Sequence, residues 1–240
     1  MPMSPTTRER LRGVSTATLC TALFKRGLRN QFIQDVRPLN PTLDNMVGEA
    51  FTLRYIPARE DLNPLSVFQD PLHPQRAAVE QCPPGAVLVF DSRKDARAAS
   101  AGAILVTRLM VRGAAGVVTD GGFRDTPGIR ATGLPCFQRD HSGPATPIHL
   151  HPVSFNEPVG CAGVAVYPGD IVLGDAEGVV AIPRHLADEV AAEAFAAWEY
   201  EQFAAMHIAR GRSIFGLFPA TESSRDEYQA WVAAGRPPLT

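Results

Sequence analysis

The chain has 240 residues, 45% of them hydrophobic and 20% charged, ordinary values for a globular domain long enough to bury a sizeable core. A formal net charge of −2 excludes a general nucleic-acid binder, which needs a basic face against phosphates. No segment approaches the roughly 20 apolar residues required to cross a bilayer, so neither nucleic acid nor membrane is expected as a partner.

The opening Met1-Pro2-Met3-Ser4-Pro5 lacks the basic-then-apolar order of a signal peptide, and the chain is expected in the cytoplasm. Arg8, Arg10 and Arg12 alternate with polar residues and read as a solvated face. Residues 15–25 predict a first helix, with Ser15 or Thr16 as N-cap and Gly27 as the stop. Residues 30–45 read as strand and loop, and 47–56 alternate as a strand. Residues 57–74, rich in Pro, Asp and Asn, carry no period and read as an extended loop or interface segment. Residues 75–81 are helical in character, and Cys82-Pro83-Pro84-Gly85 turns the chain into a strand at 86–91.

Residues 99–112 predict a helix with Ile104, Leu105 and Leu109 as apolar positions and Gly113 as its end. Residues 116–119 form an apolar, β-branched run suited to a sheet interior, and Gly121-Gly122 supplies the positive φ angles of a tight turn. Residues 126–158 read as short strands joined by irregular loops. Residues 159–167, 170–174 and 178–182 are strand-like, with 175–178 as the connecting turn. Pro183 starts a helix that runs from 186 to about 210, with Val190, Ala194, Ala197, Phe203 and Met206 on apolar positions that seek a partner. Beyond Gly211, Phe215, Leu217, Phe218 and Trp231 are too many large apolar groups for a free linker, and this tail is expected to dock. With no repeat or convincing linker, one domain spans 1–240, including a helical extension from about 185.

The chemistry is placed in the central strand–helix–strand unit. Its crossover makes the two strands parallel and right-handed, so the loops that follow them open on one edge, where α/β sheets bind ligands. One loop presents Arg124 beside Asp125. A guanidinium fork suits a carboxylate or enolate oxygen, and an adjacent carboxylate can hold a divalent cation touching the same anion. The other loop, 98–103, is made of small residues that let a ligand approach free amides at the helix start.

Other constellations carry less. His149 and His151 share a face if their segment is a strand, but no third metal ligand has suitable spacing. Asp175-Ala176-Glu177-Gly178 fits a hairpin turn. Gly113-Ala114-Ala115-Gly116 ends a helix and begins a strand, the reverse of a dinucleotide fingerprint. Lys94 offers an amine for a Schiff base with a keto acid, yet the mixed-charge run 92–97 reads better as a solvated, anion-attracting rim in which Lys94 or Arg97 draws substrate. Cys20, Cys82, Cys136 and Cys161 contain no Cys-x-x-Cys pair and read as reduced thiols.

The chain resembles the family that contains the regulator of ribonuclease activity A and the divalent-metal-dependent 4-hydroxy-4-methyl-2-oxoglutarate aldolases. The resemblance rests on Val14-Ser15-Thr16-Ala17-Thr18, Gly48-Glu49-Ala50-Phe51-Thr52, the Gly102 helix entry, Asp120-Gly121-Gly122-Phe123-Arg124-Asp125, and the segment from Pro168-Gly169-Asp170 to Val179-Val180. It implies an α/β sandwich of the swivelling β/β/α type with a long C-terminal helix, assembled as a homotrimer or homohexamer with sites between subunits. It implies Mg²⁺ or Mn²⁺ on Asp125, substrate contact by Arg124, and the amides of Gly102, Ala103, Ile104 and Leu105 on the carboxylate of a small keto acid. A glutamate from the C-terminal helix of a neighbouring subunit, Glu201 in preference to Glu199, would complete the site. Ala103 departs from the aldolase pattern, where an acid follows the helix-entry glycine, and shares this with the regulators. The length of the C-terminal region is that of the aldolases. The resemblance thus implies a metal-dependent carbon–carbon lyase releasing pyruvate, or alternatively a non-catalytic regulator that binds a ribonuclease or another protein.

Overall fold

The computed structural model describes residues 3–237; Met1 and Pro2 of the opening segment lie outside them. Two serine-capped helices come first, α1 (Pro5–Arg12) and α2 (Thr16–Phe24), with Thr7 N donating to Ser4 Oγ and Thr18 N to Ser15 Oγ. The segment of Arg8, Arg10 and Arg12, read as a solvated face, is therefore a helix. Its Thr7 and Leu11 are buried, while Arg8 donates to Val47 O.

Strands β1 (Phe32–Ile33), β2 (Arg37–Pro38) and β3 (Met46–Pro57) follow, then two short 3-10 turns, helix α3 (Pro74–Gln81) and strand β4 (Ala86–Asp91). Next come β5 (Ala99–Ala101), α4 (Ala103–Val111), β6 (Gly116–Thr119), β7 (Gly122–Phe123), α5 (Thr126–Ala131), β8 (Cys136–Gln138) and β9 (Asp140–His141). The chain continues through β10 (Leu150–Phe155), β11 (Val159–Cys161), β12 (Val164–Val166), β13 (Ile171–Gly174) and β14 (Val179–Ile182) to α6 (Ala187–Ala209) and α7 (Glu222–Ala233).

The large sheet runs β1-β14-β13-β3-β4-β6-β8-β2, with β10 also paired to β3. Its centre, β3-β4-β6-β8, is parallel, as the predicted crossover requires, with Leu88 between Phe51 and Val117. These strands are buried on both faces, which is why they read as continuous apolar runs. Leu88, Phe90 and Val117 pack with Val106 and Leu109 of α4. Val87, Val89 and Val118 pack with Val159, Val164 and Val166 of the β11–β12 hairpin on the other face. Helices on one face and a β-layer on the other give a β/β/α sandwich. Helices α1, α2 and α6 close a further cluster against β13 and β14 through Leu19, Leu23, Leu173, Val180, Val190 and Ala194.

A second, all-parallel sheet of β5, β7 and β9 positions the site. Each of β4, β6 and β8 leaves the large sheet and, within a few residues, re-pairs in the small one. The expected helix at 99–112 is accordingly shorter. Residues 99–101 form β5 because their carbonyls have fixed donors outside any helix: Thr146 Oγ1 donates to Ala99 O, Tyr55 OH and Gln75 Nε2 to Ser100 O, and Arg124 N to Ala101 O. These tertiary bonds override the helix preference of alanine.

Three other expectations are corrected. Gly121 and Gly122 do not adopt positive φ. They are required by close approach, since a methyl at Gly121 would stand 2.7 Å from Ser92 Cβ and one at Gly122 2.8 Å from Ser142 Cβ. Residues 126–131 form α5, begun by Pro127 at the first turn. Residues 159–167 break at Ala162 and Gly163, both at positive φ, into a hairpin. In the tail, Leu217 is buried and Trp231 packs on the Phe203 cluster, but Phe215 is 89% exposed. The cysteines are free thiols, three of them buried. No helix among the described residues is long and apolar enough to cross a membrane.

Candidate active site

The small sheet ends in two loops that meet. Gly102 follows β5 in extended conformation (φ −129°, ψ −178°) and caps α4. Arg124 follows β7, its amide tied to Ala101 O at 3.1 Å, and Asp125 comes next in left-handed conformation (φ 58°, ψ 36°) with its carbonyl accepting from Ile129 N. Gly102 is a glycine because the facing loop leaves no room. A methyl there would lie 2.8 Å from Asp125 Oδ2 and 2.9 Å from Arg124 Cγ.

Arg124 Nε and Asp125 Oδ2 form a loose ion pair at 3.4 Å, both side chains half-exposed. Intrahelical bonding in α4 begins with Leu105 N and Val106 N, both donating to Gly102 O. The amides of Ala103 and Ile104 precede it and are the ones left for a ligand. Ile104, one of the apolar positions of the predicted helix, is 84% exposed and lines the cleft described below, and α4 packs through Val106 and Leu109.

These loops line a cleft of about 380 Å³ together with Phe68, Gln75, Arg76 and Thr146, the loops contributing Gly102, Ile104, Leu105, Arg124 and Asp125. Residues 68, 75, 76 and 146 had no signal near the central motif, and the packing of α3 brings Gln75 and Arg76 in. Behind the cleft, Ser92, Ser100 and Thr119 share a buried hydroxyl cluster at 2.7–3.1 Å. Asp120 is fully buried and accepts from Ser92 N, Lys94 N and Ala162 N at 2.6, 3.0 and 2.8 Å. Its burial pushes the carboxyl pKa up against the pull of those amides. Asp120 thus staples the 92–94 loop and the β11–β12 turn to the crossing between the sheets.

Other sequence candidates lie elsewhere. Lys94 and Arg97 border a separate, wider cleft of about 570 Å³ with Arg93, Asp95 and Asp140. Arg97 is paired with Asp95, whose carboxyl it pulls down to about 2. His151 Nδ1 is hydrogen-bonded to Asn63 Oδ1 at 2.8 Å. Asp175 makes the expected turn and also accepts from Thr16 N at 2.7 Å. Glu201 on α6 accepts from Thr18 Oγ1 at 3.2 Å, and Glu199 pairs with Arg236. Neither glutamate is among the residues lining the cleft.

Among the described residues no group of three or more His, Cys, Asp or Glu side chains could cage a metal. Asp125 offers another kind of site, one carboxylate facing an open cleft. Mg²⁺ accepts such a donor set, keeping waters and taking the rest of its shell from substrate oxygens.

A family model described as RraA-like, Aldolase/RraA, matches residues 16–181. A Halalkalibacterium halodurans protein provisionally named as a 4-hydroxy-4-methyl-2-oxoglutarate aldolase is 32% identical over 167 residues, 70% of this chain and 72% of that one. The crystal structure of Streptomyces coelicolor RraAS2, described as an unusual member of the RNase ES inhibitor RraA protein family, superposes with a TM-score of 0.76 at 30% identity, covering 86% of this chain and 98% of that one. A Pseudomonas syringae protein of unassigned function shares the fold at TM-score 0.78 and 24% identity, covering 95% and 96%.

Proposed function

Taking as premise that the chain belongs to the RraA-like family, the Aldolase/RraA proteins, we propose that the cleft is the active site of a divalent-metal-dependent lyase of the class II pyruvate aldolase type. Its substrate is a 4-hydroxy-2-oxo acid, a 2-keto-3-deoxy sugar acid or oxaloacetate, and its product is pyruvate. The observation that carries the reading is the convergence of Arg124, Asp125, Gly102 and the open amide of Ile104 on one cleft.

The amides at the α4 start orient the substrate carboxylate, helped by the positive end of the helix. Mg²⁺ or Mn²⁺ held by Asp125 supplies Lewis-acid polarisation of the keto oxygen when bound. As the C3–C4 bond breaks, its electron pair moves toward the keto oxygen, where the Arg124 guanidinium meets the developing negative charge. From a 4-hydroxy acid the 4-hydroxyl loses its proton as the carbonyl product leaves, from oxaloacetate C4 leaves as CO₂, and in both C3 gains a proton. A water, or Glu201 brought by a neighbouring copy in a trimer or hexamer, moves these protons. The Ser92–Ser100–Thr119 cluster and Asp120 hold the two loops in register, so that the groups act from fixed positions.

The test is pyruvate release by chelator-treated protein with and without Mg²⁺ or Mn²⁺, on 4-hydroxy-4-methyl-2-oxoglutarate, oxaloacetate and 2-keto-3-deoxygluconate. Metal-dependent turnover that is lost in Asp125→Ala is the expected outcome. Ala103, where the aldolases carry an acid, favours the second reading: a regulator that binds a ribonuclease or other protein through the same scaffold. Thermal melting separates them, because Mg²⁺ with oxalate stabilises the lyase and not its Asp125→Ala variant. Melting curves indifferent to both would favour the regulator.

A further inference from the structure

Helix α3 contributes Gln75 and Arg76 to the cleft lining, and Arg76 is in a different chemical setting from Arg124. Arg76 is half-buried there, and no carboxylate pairs with it among the described residues. Its Nε is buried without a hydrogen-bond partner, whereas Arg97, Arg108 and Arg124 each have a carboxylate within 4 Å. The guanidinium carbon sits 4.5 Å from the centre of the Phe68 ring. A cation held over an aromatic face in this way is positioned without using its N–H donors, which stay available to an acceptor. Burial works against the charge, lowering the Arg76 pKa from its ordinary value. A partly desolvated cation with an unused planar donor edge is the feature of a site that receives an anion.

Gln75, beside it and 1% exposed, is held rigidly against the small sheet. Its Nε2 donates to Ser100 O at 2.7 Å and sits 3.2 Å from Thr146 Oγ1, whose own proton goes to Ala99 O. Turning the amide over would set oxygen against the Ser100 carbonyl, so the orientation is fixed. Gln75 Oε1 is therefore left buried with no donor in the protein, on a residue that lines the cleft.

We infer that Arg76, backed by Phe68, is a specificity-determining residue that holds a second carboxylate at the end of the substrate remote from its 2-oxo acid group. The inference rests on the lyase reading for the identity of the substrate, but not for that of the anion. It ranks the substrate classes: a dicarboxylic 2-oxo acid satisfies the guanidinium, whereas the polyol tail of a sugar acid leaves it desolvated and without a counter-charge.

The test is calorimetric titration, with Mg²⁺ present, of 2-oxoglutarate and of 2-oxopentanoate, which has the same chain length without the second carboxylate. Wild type is expected to bind 2-oxoglutarate roughly 10- to 100-fold more tightly. Arg76→Met should abolish that preference while holding 2-oxopentanoate within about twofold, and Arg76→Lys should restore part of it because charge returns without the fork. Absence of a preference in wild type, or equal loss on both acids in an Arg76→Met protein that melts normally, overturns the inference. The pyruvate-release assay keeps the two ideas apart. A preference that depends on Arg76 without turnover of any oxo acid leaves the subsite standing and defeats the lyase. Turnover slowed equally on oxaloacetate and 2-keto-3-deoxygluconate by Arg76→Met does the reverse.

Discussion

Gly102→Ala isolates the geometry of the site from the stability of the fold. The backbone at 102 is extended, so alanine fits it without strain, and the added methyl meets only side chains: Asp125 Oδ2 at 2.8 Å and Arg124 Cγ at 2.9 Å. An ordinary contact of 3.4 Å requires the carboxylate oxygen to retreat by about 0.6 Å. Misplacement by about 1 Å can cost a hundredfold in rate, so kcat/KM for pyruvate release should fall roughly 10- to 100-fold, about 1.4–2.8 kcal/mol. Stability should fall by only about 1 kcal/mol, chiefly because alanine is a poorer N-cap than glycine. Gly121→Ala makes the comparison sharp. Its methyl would stand 2.7 Å from Ser92 Cβ and 2.8 Å from Asp95 O, so the main chain itself must give way, at about 1–3 kcal/mol or roughly 2–12 °C in Tm. Differential scanning fluorimetry with and without Mg²⁺ and oxalate, alongside pyruvate release, reads both effects. A Gly102→Ala protein that keeps the full Mg²⁺-dependent oxalate shift, or that melts as low as Gly121→Ala, would refute the reasoning.

Asp120→Asn should destabilise the protein by roughly 1–3 kcal/mol at pH 7, because one of the two oxygens that accept from Ser92, Lys94 and Ala162 amides becomes an NH₂ facing a donor; urea unfolding measures it. The pH dependence of the same group has a defined sign. Its folded pKa is raised above the ordinary 3.8, so the stabilisation from protonating it is full below 3.8 and is lost as pH rises through the raised value. The stability difference between wild type and Asp120→Asn should therefore change across that acidic window and be flat above it. Tyr200→Phe removes a buried hydroxyl that donates to Leu217 O at 2.6 Å and lies 2.8 Å from Ser224 Oγ. It should cost about 1–2 kcal/mol, with faster hydrogen exchange in α7 and no change in kcat/KM. Asp125→Ala should abolish metal-dependent pyruvate release without lowering Tm in the absence of metal.

The large sheet was readable because its strands are buried on both faces. Ala86–Asp91 and Gly116–Thr119 are uninterrupted apolar runs, and their parallel pairing follows from the helix between them. The small sheet was not, since strands of two or three residues show no period, and Ala99-Ser100-Ala101 carries local preferences that point to helix. Arg124, Asp125 and Gly102 could be placed at one edge from order alone. The physical role of the glycines could not: Gly121 and Gly122 answer to Ser92 and Ser142, contacts made only after folding. Arg76 and Gln75 stand about fifty residues before the motif in a helix with no local mark of function, and only tertiary packing carries them to the cleft. The α5 helix escaped notice because its proline lies in the first turn, where it starts a helix rather than breaking one.

Asp125 holds its carboxylate out to the cleft from a left-handed backbone, fastened by the Arg124 amide on Ala101 and by its own carbonyl on Ile129. A side chain in this conformation is disfavoured relative to glycine. On the lyase reading the position is one where selection for stability and selection for chemistry part company: Asp125→Gly would relax the main chain, and a screen for thermal tolerance alone would enrich it. Engineering this scaffold for robustness therefore has to hold residue 125 fixed, since the substitution that helps the fold there is the one that discards the carboxylate.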